Sequence, residues 1–206
     1  MMYTLYYSPG ACSLAIHTLL IESDQPFDVV NKNDLEDFST ITPLGAVPVL
    51  KIGNELIREG AAQALYLIEK HDLDLLPKAG SPDRAKALEW LLFGNATMHP
   101  AYSKMFFSLR AISDEASRHE ALQVAAGVAG KLWALVDKQL AKTRFVTGDK
   151  LSVADIMLAV YANWGGYFDV DIPLGANVRR MLAEVSAWPS FAKALAAEGV
   201  EYRAAA

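Results

Sequence analysis

The chain has 206 residues, 52% of them hydrophobic, with 19 Lys and Arg against 24 Asp and Glu, a formal net charge of -5 and one cysteine. That is enough to bury a sizeable core as one large domain or two small ones, and the acidic balance disfavours a nucleic-acid surface. The single thiol excludes an internal disulfide and suits a reducing compartment, no apolar run approaches the roughly 18 residues of a membrane span, and the first basic residue, Lys32, lies too far in for a secretory n-region, so a cytoplasmic protein is expected.

Tyr3–Tyr7 is short and aromatic and runs into Ser8-Pro9-Gly10, the pattern of a strand entering a turn. From Cys12 to Ser23 good helix formers dominate, with Leu14, Ile16, Leu19, Leu20 and Ile21 on a broad apolar face. Phe27–Val30 reads as a second strand, and the polar stretch from Asn31 to Thr42 as a loop holding one irregular helical turn. Pro48–Ile52, Gly53-Asn54 and Glu55–Ile57 spell a hairpin with a two-residue turn that favours positive φ. Glu59-Gly60 then opens a helix through Lys70. This order describes a thioredoxin-like α/β layer of about 80 residues, helices covering a mixed sheet.

Everything after the turn-rich stretch Leu76–Asp83 reads helical. Ser81 is the expected N-cap of a long helix that Pro100 must kink or end. The next helix starts around Ser113-Asp114-Glu115 and runs to about Lys142, and Ser152-Val153-Ala154-Asp155 has the form of a capping box. Further helices are expected over Val178–Ala187 and after Trp188-Pro189. The boundaries drawn are 1–78 for the α/β domain, 79–85 for a linker and 86–206 for an all-helical domain.

Four features carry possible chemistry. A free cysteine is usually a small buried hydrophobe, but a strand, a Pro-Gly turn and a helix start would set Cys12 beside unpaired amides and the positive end of a helix dipole, which stabilise a thiolate. Ser13 stands next to it as a hydrogen-bond donor to the same sulfur. Val47-Pro48 is an ordinary strand start if trans; if cis, and ahead of an edge strand, it would turn the Val47 amide and carbonyl outward to pair with an extended peptide. Glu59 at a helix start is ordinary dipole chemistry, or it holds an ammonium group while the bare Gly60 amide holds the carboxylate beside it. His99 differs from His17, His71 and His119 only in preceding Pro100, where a broken helix can aim a side chain into a cleft. The histidines have no metal-site spacing, Gly127–Leu132 lacks the first glycine and the hydroxyl residue of a phosphate loop, and Trp133, Trp164 and Trp188 read as core.

The runs Tyr7-Ser8-Pro9-Gly10-Ala11-Cys12-Ser13-Leu14 and Thr42-Pro43-Leu44-Gly45-Ala46-Val47-Pro48-Val49-Leu50, followed by Glu59-Gly60, Glu89-Trp90-Leu91, Gly148–Asp155 and Ala197-Glu198-Gly199-Val200, carry a resemblance along nearly the whole chain. In order and spacing the chain resembles a bacterial glutathione S-transferase, most closely the beta class. The resemblance implies a thioredoxin-like domain that binds glutathione, a helical domain that binds electrophiles, and a homodimer. It sets Cys12 against the glutathione sulfur, able to form a mixed disulfide with it, with Tyr7, Ser13 and His99 completing the catalytic set. Val47 and a cis Pro48 would hold the cysteinyl backbone of glutathione, and Glu59 and Gly60 its γ-glutamyl end. Met98, Tyr102, Phe106, Tyr161 and Trp164 are the expected electrophile pocket, and Ser152 with Asp155 matches a folding signature. The chain departs from the pattern at Leu44, Thr97 and Pro100, and its Asn31–Thr40 loop is short and lacks the basic residue expected near the glycyl carboxylate. The implied activity is conjugation of the glutathione thiolate to small hydrophobic electrophiles, with thiol transfer or hydroperoxide reduction through Cys12 beside it. A glutathione-dependent isomerase or dehalogenase, and a non-enzymatic stress- or transcription-associated protein, are the alternatives on the same fold.

Overall fold

The computed structural model describes residues 2–205 and divides the chain into two compact units. The first begins with β1 (Tyr3–Tyr7), α1 (Ser13–Glu22) and β2 (Phe27–Asn31). Two short 3-10 turns, Lys32–Asp34 and Phe38–Thr40, replace the one irregular turn expected there, each entered through an Asn or Asp side chain that accepts from an amide two residues on. Then come β3 (Val49–Ile52), β4 (Glu55–Ile57) and α2 (Gly60–His71). The sheet order is β2-β1-β3-β4, with β1 parallel to β2 and antiparallel to β3, the mixed sheet expected of this element order. Gly53 takes φ +60° at the hairpin turn, where a residue with a Cβ would be strained. Leu5 pairs with Leu50 across β1 and β3, and both are buried with Leu14, Ile16, Leu19 and Leu67 from the helices. One expectation is corrected: β3 is an inner strand, because β1 and β4 take both of its edges.

The second unit is helical: α3 (Pro82–Phe93), α4 (His99–Ala111), α5 (Glu115–Leu140), α6 (Val153–Asn163) and α7 (Ala176–Ser186). Ser81 caps α3 by accepting from the Arg84 amide at 3.1 Å, so the segment set aside as linker, 79–85, is helical from Pro82 onward. Pro100 does not end the helix. A π-helical stretch, Gly94–Met98, joins α3 directly to α4, and its wider turn accommodates a residue that has no amide hydrogen and whose ring crowds the preceding turn. At the start of α6 the Asp155 carboxylate accepts from the Ser152 amide at 3.0 Å, the Ser152 hydroxyl at 2.6 Å and the Val146 amide at 2.9 Å, so the capping box also anchors the loop before it.

The last helix, α8 (Pro189–Glu198), belongs to the first unit and not to the helical one. It packs on α1 through buried Phe191, Ala194 and Leu195. Ser190 at its start donates to Glu22 at the end of α1, and Glu198 at its end reaches His17 near the start of α1. The two helices therefore run antiparallel.

Candidate functional site

Ser8–Ala11 forms a β-turn closed by Ala11 N–H to the Ser8 carbonyl at 3.0 Å, with Pro9 at its second position and Gly10 at φ +69° at its third. That is the type II geometry, which Pro-Gly favours at those two places. The turn delivers Cys12 to the N-cap of α1. The Val47-Pro48 bond is cis, and the Cys12 thiol donates to the Val47 carbonyl at 3.2 Å. Burial pushes the Cys12 thiol up to about 11; the amides of Cys12 and Ser13 and the charge of Lys32 oppose the shift without cancelling it. The thiol is thus a protonated donor at neutral pH, and the amides at the helix start do not make it a thiolate.

The Ser13 hydroxyl, unlike its amide, does not serve the sulfur in this arrangement. Its hydroxyl is buried, accepts from the Ser8 amide at 3.3 Å and donates to the Ser8 carbonyl at 3.3 Å, so it closes the loop that presents Cys12. Tyr7 is half-buried, its ring centroid 6.1 Å from that of His17. Its phenol is raised by burial and then by the negative charges of Glu198 and Asp34, which keeps it a donor at neutral pH.

Glu59 is the N-cap residue of α2, extended at φ -98° and ψ 121°; its side chain is exposed and makes no capping hydrogen bond. The next residue, Gly60, is buried and opens the run of helix-start amides. Gln63, one turn into α2, joins this helix start to the cis turn. Its amide group donates to the Pro48 carbonyl at 3.0 Å and the Ile57 carbonyl at 2.8 Å. Lys32 donates to the Gly45 carbonyl at 3.2 Å, which bridges the loop after β2 to the Pro43-Leu44-Gly45 turn. The sequence singled out Cys12, Val47, Pro48, Glu59 and Gly60 but missed Gln63 and Lys32, whose partners Pro48 and Gly45 lie 15 and 13 residues away with no motif to mark them.

A third missed residue is Glu198. Its side chain has no solvent exposure; one carboxylate oxygen accepts from the Gly10 amide at 2.9 Å and the other pairs with His17 Nδ1 at 2.9 Å. The sequence offered only its place in Ala197-Glu198-Gly199-Val200, with no hint of a partner 188 residues earlier.

In the helical unit His99 is half-exposed, directly after the π stretch, with its ring edge-on to Tyr161 at 5.4 Å and to Trp164 at 5.2 Å. Its Nδ1 lies 3.3 Å from the Ser103 hydroxyl. Tyr102, Phe106 and Tyr161 all pack on Trp164, at 5.9, 5.7 and 4.8 Å between centroids. The expected pocket residues are therefore brought together, but Met98, Tyr102, Tyr161 and Trp164 are buried core. Helical spacing cannot distinguish aromatics that fill a core from those that line a pocket. Phe106, one face along α4 from His99, keeps partial exposure. Among the described residues no group of three or more His, Cys, Asp or Glu could hold a metal, and no helix is long and apolar enough to cross a membrane.

Residues 98–190 match the family model for the glutathione S-transferase C-terminal domain. Over 205 residues the chain is 32% identical to glutathione S-transferase GST-4.5 of Xanthomonas campestris pv. campestris, covering 95% of this chain and 98% of that protein. The chain belongs to the glutathione S-transferase family. Two solved family structures are similar throughout. A sphingomonad glutathione S-transferase complexed with glutathione superposes with TM-score 0.82 at 32% identity, covering 96% of this chain and all 100% of the other. The bacterial beta class enzyme of Sphingomonas chungbukensis does so with TM-score 0.82 at 30% identity and the same coverage. This transferase is thus beta-class-like, and its α/β first unit and helical second unit are those of the family.

Proposed function

We propose that the protein conjugates the thiol of glutathione to small hydrophobic electrophiles. The observation that carries this reading is the frame built around Gln63. One side chain fixes the cis Val47-Pro48 turn against the strand leading to Glu59, and the start of α1 closes on the same turn through Cys12 and Val47. Such a frame matches glutathione part by part. The Val47 backbone would pair with the cysteinyl residue, the exposed Glu59 carboxylate would hold the γ-glutamyl ammonium, and the first amides of α2 would hold the carboxylate beside it. We assign the glycyl carboxylate to Lys32, which supplies a cation on the Gly45 side of the loop where the family's usual basic residue is missing.

Catalysis then consists of stabilising a thiolate and holding it against an electrophile. The glutathione S–H bond breaks, its proton passes to solvent, and the sulfur electron pair forms the new C–S bond as the leaving group departs with its own pair. The amides at the start of α1 and the Tyr7 hydroxyl are donors to that sulfur, and His99 is the proposed polar group of the helical unit. If His99→Ala leaves kcat/KM with a chlorodinitrobenzene substrate unchanged, that role is wrong. Retention on immobilised glutathione, released by millimolar free glutathione, is expected; a protein that flows through would remove the whole reading. The molecule is proposed to be a homodimer, supported by the exposed apolar residues Val124, Val128 and Leu135 along α5, and a monomer mass in sedimentation equilibrium would count against it.

Cys12 is read as a positioning group at neutral pH, because its thiol donates to the Val47 carbonyl at 3.2 Å and burial pushes it up to about 11. Below that value its thiolate fraction rises tenfold per pH unit, so mixed-disulfide formation with oxidised glutathione should climb without a plateau from pH 7 to pH 10. Intact-mass kinetics read this on the one cysteine, with Cys12→Ala as the blank. A plateau near pH 7 would make Cys12 a nucleophile and favour the thiol-transfer reading.

A further inference from the structure

We infer that the short tail after α8 sets the size of electrophile this protein accepts, with Tyr202 as its positioning residue; the inference rests on the reading of the rings around Trp164 as the electrophile side. From Tyr202 onward the tail belongs to the helical unit. The Tyr202 hydroxyl donates to the Ala159 carbonyl at 3.1 Å, and the Arg203 amide donates to Asn163 Oδ1 at 2.7 Å. Those two acceptors stand one helical turn apart, and Asn163 is the last residue of α6. Burial, and then the nearby Tyr102 phenol, push the Tyr202 phenol up, so it stays a donor at neutral pH. The Arg203 stem continues past that turn, because a Cβ at Gly166 would meet its Cδ at 3.9 Å, an ordinary van der Waals contact. The tail is therefore bonded along the last turn of α6 and touches the residues that follow it.

That turn carries the rings behind His99 and Phe106. Tyr161 lies between the two acceptors, and Trp164 directly follows Asn163. Both rings stand against His99, and Phe106 packs on Trp164 at 5.7 Å. His99 and Phe106 keep exposure, while Tyr161 and Trp164 are buried. Gly165 and Gly166 leave the chain beyond Trp164 without side chains to hold it. A cavity of about 220 Å³ has Tyr102, Gly165, Gly166 and Arg203 in its wall. It adjoins Tyr102, which packs on Trp164 at 5.9 Å, so the rings have room to retreat once the tail lets go. Ser152, in the box at the start of α6, provides the control. If the tail merely stabilises α6, loss at either end of that helix should have the same consequence.

The test compares benzyl chloride with chloromethylnaphthalene, which differ in ring size and react alike: the glutathione sulfur forms the C–S bond as chloride departs with the electron pair. A second readout, hydrogen exchange of the peptide covering the last turn of α6, uses no glutathione and stands even if the conjugation reading fails. Tyr202→Ala removes both the bond and the ring. Exchange at that turn should be at least tenfold faster and the naphthyl-to-benzyl ratio of kcat/KM should rise at least fivefold, with KM for glutathione within twofold of wild type. Tyr202→Phe keeps the ring and loses only the bond to Ala159, so exchange should be at least threefold faster while the ratio stays within twofold of wild type. Ser152→Ala should leave both the ratio and the exchange at the last turn unchanged. Wild-type exchange in both Tyr202 variants, an unchanged ratio in Tyr202→Ala, or an equal shift of the ratio in Ser152→Ala would each overturn the assignment. Should the protein conjugate neither chloride, the conjugation reading falls and the size assignment with it, while faster exchange in Tyr202→Ala would still establish the tail as the brace of the rings.

Discussion

Asp155→Ala is expected to lower the stability of the protein by about 3 kcal/mol at neutral pH. The wild-type carboxylate is fully buried and answers three buried donors, the amides of Val146 and Ser152 and the Ser152 hydroxyl. Truncation leaves all three without an acceptor, and each buried unpaired group costs roughly 1–3 kcal/mol, partly offset by relief of a buried charge. Burial raises the Asp155 carboxyl from 3.8 to about 6, the hydrogen bonds opposing it. The sign follows from proton counts. Between about pH 4 and pH 6 the folded state holds a proton that the unfolded state has released, so this group's contribution falls as pH rises through that window and is level above it. A shift of this size corresponds to a loss on the order of 3 kcal/mol. Asp155→Asn cannot ionise. The unfolding free energy of wild type minus that of Asp155→Asn, from urea titrations, should therefore fall between pH 4 and pH 6. An Asp155→Ala loss below 1 kcal/mol, or a flat difference against Asp155→Asn, would mean that the box contributes little.

Such a box could be read from Ser152 and Asp155 because capping is a contact three residues long. The same locality made the Gly53-Asn54 hairpin, the Ser81 cap and the Pro9-Gly10 turn legible. What failed to be legible depends on partners far apart in the chain. Strand order is one case: nothing around Val49 says that β1 and β4 take both edges of β3, so the cis turn was expected beside an edge. The return of α8 to the first unit is another, since Phe191, Ala194 and Leu195 form an apolar face that would suit either unit, and the Glu198 contacts that hold it lie 181 and 188 residues away. Pro100 was read as a kink or an end because sequence rules treat helices as uniformly α, and the π stretch before it removes the conflict. Ser13 was read as a partner of the sulfur from adjacency and from the resemblance, while its hydroxyl pairs with the backbone groups of Ser8. At the site itself, the local features Pro9-Gly10, Val47-Pro48 and Glu59-Gly60 could be named; Gln63, Lys32 and Glu198, whose side chains brace them, reach partners elsewhere in the chain.

Glu59→Ala should raise KM for glutathione at least tenfold while leaving kcat at saturation and the urea midpoint nearly unchanged. Glu59 and Asp155 are both acidic residues at helix starts, yet their surroundings assign them opposite work. Asp155 has no exposure and answers protein donors on every side, so its loss is felt in folding. Glu59 is exposed and makes no capping hydrogen bond, so little in the folded protein depends on it beyond a screened dipole interaction. A carboxylate left open beside the Gly60 amide, on a helix start that Gln63 locks to the cis turn, is preorganised for a cation arriving with its own carboxylate. A hydrogen bond to a charged group supports a loss of tenfold or more when it is removed. The proposed contact lies at the γ-glutamyl end, remote from the sulfur, so it would be made equally in ground and transition states and should appear in KM and not in kcat. Glu59→Gln, which keeps the shape and an acceptor but not the charge, should fall between. A kcat loss matching the KM rise would place Glu59 in the chemical step, and an unchanged KM would detach the γ-glutamyl end from the start of α2.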